Sequence, residues 1–544
     1  MKRDLDCIVV GYNDDTETKF RVLLDSGGRS PEARIFARDH LCLGGRALTY
    51  MDVINDLCFA GSKEGRVSAK PFYHVCEVPN LATAYLGNFL RRRGFSVAGV
   101  GFYNAERPLL AELLQHRPVL LAITTTFYEH TAPIDEIVAF TREHSPTTKI
   151  VVGGPLVQHI AEMDPGVRET VLSALDIDFL IDESQGESSL AALLHHLRTG
   201  TSVSGVPNLL YREGGVWRFT WVEKENNAMS DAIINWSDPD VGFLGRSIQT
   251  RTARSCAYSC AFCDYPTRAG QLALVSPQDV FNEVRQLADL GVQNVIFIDD
   301  TFNVPERRFR EVCKLLADAK LPVRWFSYFR CSSVADETVF DLMQRSGCGG
   351  VFLGIESGDD AILRNMDKVA SAEKYRHGIH ALKQRDILTF ASFIAGFPGE
   401  TSQSIDKTIE FINEAAPDLF RMEPWWYNPR APIGNSAPKY GIEGTGYSWK
   451  HATMCIDEAC DAVDRAFSSV TSAWWCPQQS FSFWAVPYLQ GKGMTMSEIK
   501  EFHWRCHSVL QRQCIGEAAN GEVDSLRAFI LDLRLDAPRF FQSA

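Results

Sequence analysis

The stretch Ser255–Cys256–Ala257–Tyr258–Ser259–Cys260–Ala261–Phe262–Cys263 sets three cysteines at C-x3-C-x2-C spacing. It follows an apolar run, Ser247–Ala253, that reads as a strand, so the cysteines fall on the loop at that strand's end. Three closely spaced thiolates can hold three irons of a cubane cluster and leave the fourth open to a small-molecule ligand. A structural zinc site wants four protein ligands, commonly as two close pairs, and no second pair is evident. Three cysteines close by chance, or a zinc site completed from afar, are the competing readings, and the strand-then-loop context weighs against both.

No other cysteines share such spacing. The chain has 15 among 544 residues, an odd number in a protein too large to need disulfide staples. The opening Met1–Lys19 has only a short apolar run broken by acids, which is not the pattern of a signal peptide. No apolar run reaches the about 18 residues a membrane helix needs. The expected compartment is a reducing cytoplasm, where thiols stay free for metal work. A net charge of −13 argues against general affinity for nucleic acid or an anionic membrane.

There is no internal repeat or low-complexity tract. Residues 1–70 read as an N-terminal extension without an assignable role, with a first strand over Asp6–Gly11 and a helix over Ala47–Ala60. Over 71–215 strands (Phe72–Val78, Phe95–Val100, Val119–Thr126, Lys149–Val152, Phe179–Ile181) alternate with helices (Leu81–Arg93, Pro133–Glu143, Ser188–Leu197). That alternation implies a doubly wound, Rossmann-like α/β domain with ligand loops at the strand carboxyl ends. Residues 216–245, with Asp238–Pro239–Asp240, read as a linker. From 246 to 440, strands over Ser247–Ala253, Asn294–Asp299, Arg324–Tyr328, Gly350–Ile355, Thr389–Gly396 and Leu419–Glu423 predict a partial (β/α)6 barrel. Residues 441–544 read as a helical cap, with helices over Trp449–Ala473 and Met496–Ile515 and an aromatic stretch between them (Trp474, Trp475, Phe481, Phe483, Trp484, Tyr488).

The cysteine spacing resembles the hallmark of the radical S-adenosylmethionine (SAM) superfamily, and later segments resemble its motifs in order. Phe262 matches the aromatic before the last cysteine. Phe297–Phe302, with Asp299 and Asp300, resembles the segment that helps hold the SAM amino group. Ser327 and Arg330 fall on the third-strand end, where an arginine can pair with the SAM carboxylate. Glu356 and Ser357 sit in the motif near the ribose, and Ile394–Thr401, with Gly396, resembles the motif near the adenine. The resemblance implies a [4Fe–4S] cluster on Cys256, Cys260 and Cys263, with SAM on the open iron. Asp299, Asp300 and Glu400 read equally well as strand-end or helix-capping carboxylates.

The 71–215 region resembles the cobalamin-binding domain that precedes this barrel in one subfamily. The resemblance rests on Pro79 and Asn80 opening a helix, Thr124, Thr125 and Thr126 after a strand, Gly153–Gly154–Pro155, and Gly186–Glu187. Small residues and hydroxyls there suit close approach by a corrin and its nucleotide tail. Any other doubly wound domain, with these loops as plain turns, is the bland reading. The D-x-H-x-x-G motif that places a histidine beneath cobalt is absent, so the resemblance implies cobalamin without that lower ligand.

Across nearly its whole length, including Arg251–Gly270, Ile298–Pro305, Trp449–His451 and Trp484–Tyr488, the chain resembles a group of cobalamin-dependent (class B) radical SAM methyltransferases. That group contains the P-methyltransferases of phosphinothricin tripeptide (bialaphos and phosalacine) biosynthesis. It implies two uses of SAM: methylation of cobalamin to methylcobalamin, and formation of a 5′-deoxyadenosyl radical that removes hydrogen from P–H or C–H. The expected substrate is a small molecule held at the domain interface, with reducing electrons from an external flavodoxin- or ferredoxin-like donor. Arg268, Arg421 and Arg430 are candidates to bind an anionic phosphinate, and Trp426 to wall the site, although surface or core roles are the commoner fates of such residues. No acid or base is singled out. Competing functions are C-methylation, a non-methylating rearrangement, oxidation or cyclisation, and iron–sulfur electron transfer, which three-cysteine ligation disfavours.

Overall fold

The structure, a computed structural model, describes residues 5–14, 30–59, 69–238, 241–334, 336–478 and 483–543. Ala60, Pro239, Asp240 and Phe481, which figure in the sequence reading, lie outside them. The chain forms two compact units, one of residues 1–17 and 78–244, the other of 18–77 and 245–544.

The first unit is built on a seven-stranded sheet. Its labelled elements are β1 (Cys7–Tyr12), α1 (Leu81–Arg91), β2 (Val97–Phe102), α2 (Tyr103–Leu114), β3 (Leu120–Thr124), α3 (Ala132–His144), β4 (Lys149–Gly153), α4 (Pro155–Ala161), α5 (Pro165–Ala174), β5 (Phe179–Ile181), α6 (Glu187–Thr199), β6 (Leu209–Glu213) and β7 (Val216–Phe219). The strand order is β7-β6-β5-β4-β3-β1-β2, with β1 to β5 parallel, β6 antiparallel to β5 and β7 antiparallel to β6. The five parallel strands follow the flavodoxin-type order, whose chain direction switches between β1 and β3. Runs such as Leu120–Thr124 are apolar on both faces because helices cover both.

Three sequence expectations change here. The opening strand is no extension: β1 lies in the sheet between β2 and β3. Residues 216–245 are no linker, since β7 pairs with β6, Glu225 accepts the amides of Ser188 and Ser189 (2.8 and 2.7 Å), and Arg91 pairs with Asp238 (2.9 Å). The strand expected over Phe72–Val78 ends at Phe72 and is followed by a 3-10 turn over Val75–Glu77.

The second unit carries seven parallel strands: β8 (Ser247–Thr250), β9 (Asn294–Phe297), β10 (Arg324–Tyr328), β11 (Cys348–Glu356), β12 (Leu388–Ala395), β13 (Leu419–Pro424) and β14 (Trp474–Trp475). They pair in sequence order, as in an opened (β/α) barrel, with α7 (Tyr265–Ala269), α8 (Pro277–Asp289), α9 (Glu306–Ala319), α10 (Thr338–Arg345), α11 (Asp360–Asn365), α12 (Ala372–Lys383) and α13 (Ser402–Ala415) between them. Alternation separates two faces. Trp325 and Phe329 of the β10 segment meet Phe309 of α9, with ring centroids 6.1 and 5.8 Å apart. Phe326, Phe352 and Phe390 turn the other way, onto Phe483, at 6.1, 6.1 and 6.2 Å. This inner face therefore has an aromatic floor.

The C-terminal region is not purely helical. Trp449 and His451 lie in an antiparallel strand, Ser448–His451, between Glu443–Thr445 and Met454–Cys455, so the helix expected from Trp449 begins only at Ile456. Trp474 and Trp475 supply the seventh strand.

Asp178 ties the start of β4 to α3. Burial acts to raise its carboxyl, but Lys149, Arg142 and the Ile150 amide together hold it below the ordinary carboxylate value. A depressed carboxyl contributes stability above its unfolded pKa, near 4, that is lost as pH falls through the folded value. Asp178→Asn should cost about 1–2 kcal/mol at neutral pH, and the gap from wild type should close below about pH 4, read by urea unfolding across pH.

Candidate functional site

Beyond β8 the chain is held by a buried carboxylate. Asp299 accepts the amides of Thr252 (2.6 Å) and Ala253 (2.9 Å) and the Thr252 hydroxyl. Arg308 of α9 donates to the Thr252 carbonyl (3.0 Å) and hydroxyl (2.7 Å). Ser255 then takes φ +71° and donates its hydroxyl to the Gly270 carbonyl (2.6 Å). Further on, the Ala261 amide donates to Met366 and its carbonyl accepts from Ile433, each at 2.9 Å. The cysteine loop is thus braced at its entry and at its middle.

Cys256 Sγ lies 3.5 Å from the Thr301 hydroxyl, and the Cys263 amide bonds the Cys260 carbonyl (3.0 Å). Burial pushes the Cys263 thiol up to about 11, so an incoming metal displaces its proton. Among the described residues no three His, Cys, Asp or Glu groups gather to hold one metal ion. A cubane asks each thiolate to meet a different iron, so it needs no such convergence.

Two cations pack on the aromatic residues of this loop. The Arg330 guanidinium lies 3.7 Å from the Tyr258 ring centre, and its buried Nε and Nη2 have no hydrogen-bond partner. Asn303 fixes the backbone beneath it, donating to the Arg330 carbonyl (3.1 Å) and accepting its amide (3.0 Å). Lys368 lies 5.3 Å from the Phe262 ring centre and pairs with Glu356 at 2.7 Å. Sequence reasoning missed Lys368, because no spacing links a lysine on the β11–α12 connection to the cysteines. A buried guanidinium edge beside the cysteine loop fits a carboxylate such as that of SAM.

The other nominated residues divide by face. Asp300, after β9, is exposed by surface area, yet the protein around it pushes its carboxyl up to about 6, with Asp299 adding and Arg251 and Arg268 opposing. Ser327 shares the helix-facing side with Trp325 and Phe329. Ser357 also turns outward, to the Thr408 hydroxyl (3.3 Å) and the Asp359 amide (3.1 Å). Gly396, at φ +92°, could carry no Cβ, which would stand 2.5 Å from Trp449. Its amide and that of Phe397 go to Glu400 (2.5 and 3.3 Å), whose carboxyl burial pushes up to about 8.

Of the substrate candidates, Arg268 pairs with Asp264 (2.9 Å). Arg421 is buried on the inner face and pairs with Asp39 (2.7 Å) and Glu423, while its Nη2 has no hydrogen-bond partner among the described residues. Arg430 and Trp426 are exposed, on the segment after β13.

In the first unit, the nominated loops lie at the strand carboxyl ends. Pro79 precedes Asn80, which caps α1 through the Thr83 amide (3.1 Å). Thr124 ends β3, Thr125 is buried with its hydroxyl on the Gly153 carbonyl (2.9 Å), and Thr126 is exposed. Gly154 (φ +109°) packs against Thr125, where a Cβ would stand 2.8 Å from its hydroxyl, and Pro155 opens α4. Gly186 (φ +73°) leads into Glu187, which accepts from Asn227 (2.7 Å).

A parallel sheet of strand–helix units with a cysteine loop after its first strand defines the class. Residues 250–412 match the model of the Radical SAM superfamily, so the chain carries a radical SAM domain, which implies a [4Fe–4S] cluster and SAM. An uncharacterized methyltransferase of Pyrococcus horikoshii is 26% identical over 272 residues, 49% of this chain and 58% of that protein. An anaerobic magnesium-protoporphyrin IX monomethyl ester cyclase of Cereibacter sphaeroides is 27% identical over 205 residues, 36% of this chain and 34% of its own. The chain thus spans about a third to three fifths of these two relatives. Among solved structures, the radical SAM methyltransferase TsrM of Kitasatospora setae superposes with TM-score 0.55 at 18% identity, over 66% of this chain and 73% of that one. The cobalamin-dependent SAM radical enzyme OxsB gives 0.53 at 14%, over 85% and 55%. At these identities the structural likeness is one of fold.

Arg421→Ala should lower stability by about 3–5 kcal/mol, because it leaves Asp39 buried without its cation. Arg268→Ala, at a half-exposed pair, should cost at most about 0.5 kcal/mol in the same denaturant experiment.

Proposed function

We propose that the chain is a cobalamin-dependent radical SAM methyltransferase acting on a small molecule. The observation that carries the radical SAM part is the braced cysteine loop with the unpartnered Arg330 edge packed on Tyr258. We assign Cys256, Cys260 and Cys263 to the cluster and Arg330 to the SAM carboxylate. Asp299 positions the loop through Thr252 and Ala253 rather than touching SAM. Phe262 and Glu356 act beside the cluster through Lys368, and Asp300 is the carboxylate left to accept the SAM amino group. When bound, the cluster and SAM supply a reducing electron and an adenosyl radical. The protein's part is to hold, orient and exclude water, and the aromatic floor of Phe326, Phe352, Phe390 and Phe483 serves the last.

The cobalamin assignment is supported by the flavodoxin-type strand order of the first unit, whose loops Asn80, Thr124–Thr126, Gly153–Pro155 and Gly186–Glu187 lie at the ligand end. The fold likeness to TsrM and OxsB agrees with it. The substrate named by sequence resemblance, a phosphinate bearing P–H, rests on that resemblance alone, since Arg268 and Arg421 are already paired. We propose an external low-potential electron donor. No helix among the described residues is long and apolar enough to cross a membrane.

Anaerobic full-length protein, loaded with iron, sulfide and cobalamin and given a reductant and methyl-labelled SAM, should form 5′-deoxyadenosine and pass label to a phosphinate. Label on carbon instead would move the reading to C-methylation. 5′-Deoxyadenosine without product label means rearrangement, oxidation or cyclisation. No 5′-deoxyadenosine with an intact cluster means electron transfer. Replacing any one of Cys256, Cys260 and Cys263 by Ala should abolish 5′-deoxyadenosine formation.

A further inference from the structure

The turn that delivers Lys368 is strained on both sides. Asp367 has φ +50° and Val369 φ +48°, in the left-handed region that side-chain-bearing residues rarely adopt. A β-branched residue there is an outlier. Val369 is 82% exposed, so no packing of its own side chain repays the strain. The residue between them is turned inward and is only 6% exposed.

Three contacts fix where it goes. The Met366 carbonyl, two residues before it, accepts the amide of Ala261, between Cys260 and Phe262. Its ammonium lies 5.3 Å from the Phe262 ring centre. Glu356, itself at φ +71° where β11 bulges, holds that ammonium at 2.7 Å. Burial works against the charge, yet Glu356, Tyr375 and Cys260 keep its pKa up at about 12, so it is an ammonium at any working pH.

We propose that Lys368 is a positioning residue for the iron–sulfur cluster, a fixed cation against Phe262 of the cysteine loop that stabilises the reduced cluster. The proposal rests on the cluster reading above. Reduction adds one electron from the external donor to a cluster already carrying three thiolates. No bond forms or breaks. A nearby buried cation favours the more negative state and so raises the midpoint potential, and Glu356 opposes it.

The test is an EPR-monitored redox titration of the full-length, cluster-loaded protein without SAM. Lys368→Met should shift the midpoint to lower potential, because it removes the cation and leaves Glu356. Glu356→Gln should shift it the opposite way. Lys368→Arg should stay near wild type. Opposite shifts cannot come from general loosening of the fold, and Glu356→Gln carries the test should Lys368→Met not fold. Unchanged midpoints, or shifts of one sign, overturn the proposal and leave the cluster reading standing. Failure of the wild-type chain to take up a [4Fe–4S] cluster overturns both.

Discussion

One buried carboxylate joins the first two strands of the radical SAM sheet to the cysteine loop. Asp299 leaves the end of β9 and accepts both amides at the point where the chain departs from β8. Burial pushes its carboxyl up, and the Thr252 and Ala253 donors oppose that rise. Each amide left without this acceptor would cost about 1–3 kcal/mol. Arg308 closes the knot from α9 by binding the Thr252 carbonyl and hydroxyl. The path of the loop, and with it the placing of Tyr258 and Phe262 on their cations, follows from this junction.

The parts of the fold legible in the sequence are those with strong local signals. The C-x3-C-x2-C spacing, on a loop after a strand, weighs against its competing readings, and the apolar runs of β3, β9 and β12 are long enough to declare strands. What was missed depended on distant partners. β1 reads as a strand, but only pairing with β2 and β3, from about 90 residues on, makes it an interior strand of the sheet. The helix α2 was hidden by Pro108, at a kink the structure accommodates with Glu106 out of helical geometry. Trp449 has helix-compatible spacing, yet its indole donates to the Trp425 carbonyl (2.6 Å) from a strand. Among site residues, the sequence could not tell which strand-end side chains face inward. A strand alternates, so Arg330 and Ser327 look equally eligible until the partners of Trp325 and Phe329 are known.

The buried charges of the second unit are not there for stability. Taking an ion pair out of water costs several kcal/mol per ion, and mutual attraction repays that only with good geometry and further hydrogen bonds. Asp39, Arg421 and Glu423 meet this condition in part: Asp39 also accepts the Gln478 amide (3.0 Å), and Arg421 also donates to the Cys476 carbonyl (3.2 Å). Arg421 is thus shared between two carboxylates, which offset its charge toward any further anion. Arg330, by contrast, has no carboxylate pair among the described residues and leaves Nε and Nη2 without partners.

The inner face therefore grades along the strands. Phenylalanines close its floor, the Arg421 group follows at the level of Ser392, and Arg330 and the Lys368–Glu356 pair stand at the carboxyl ends. An apolar floor lowers the local dielectric, and a fixed charge acts further where water cannot screen it. In such a setting the useful property of a charged residue is its position. The molecule spends strain at Asp367, Val369 and Glu356, and a buried knot at Asp299, to keep those positions fixed. Chemistry that moves single electrons gains most from charges that do not move.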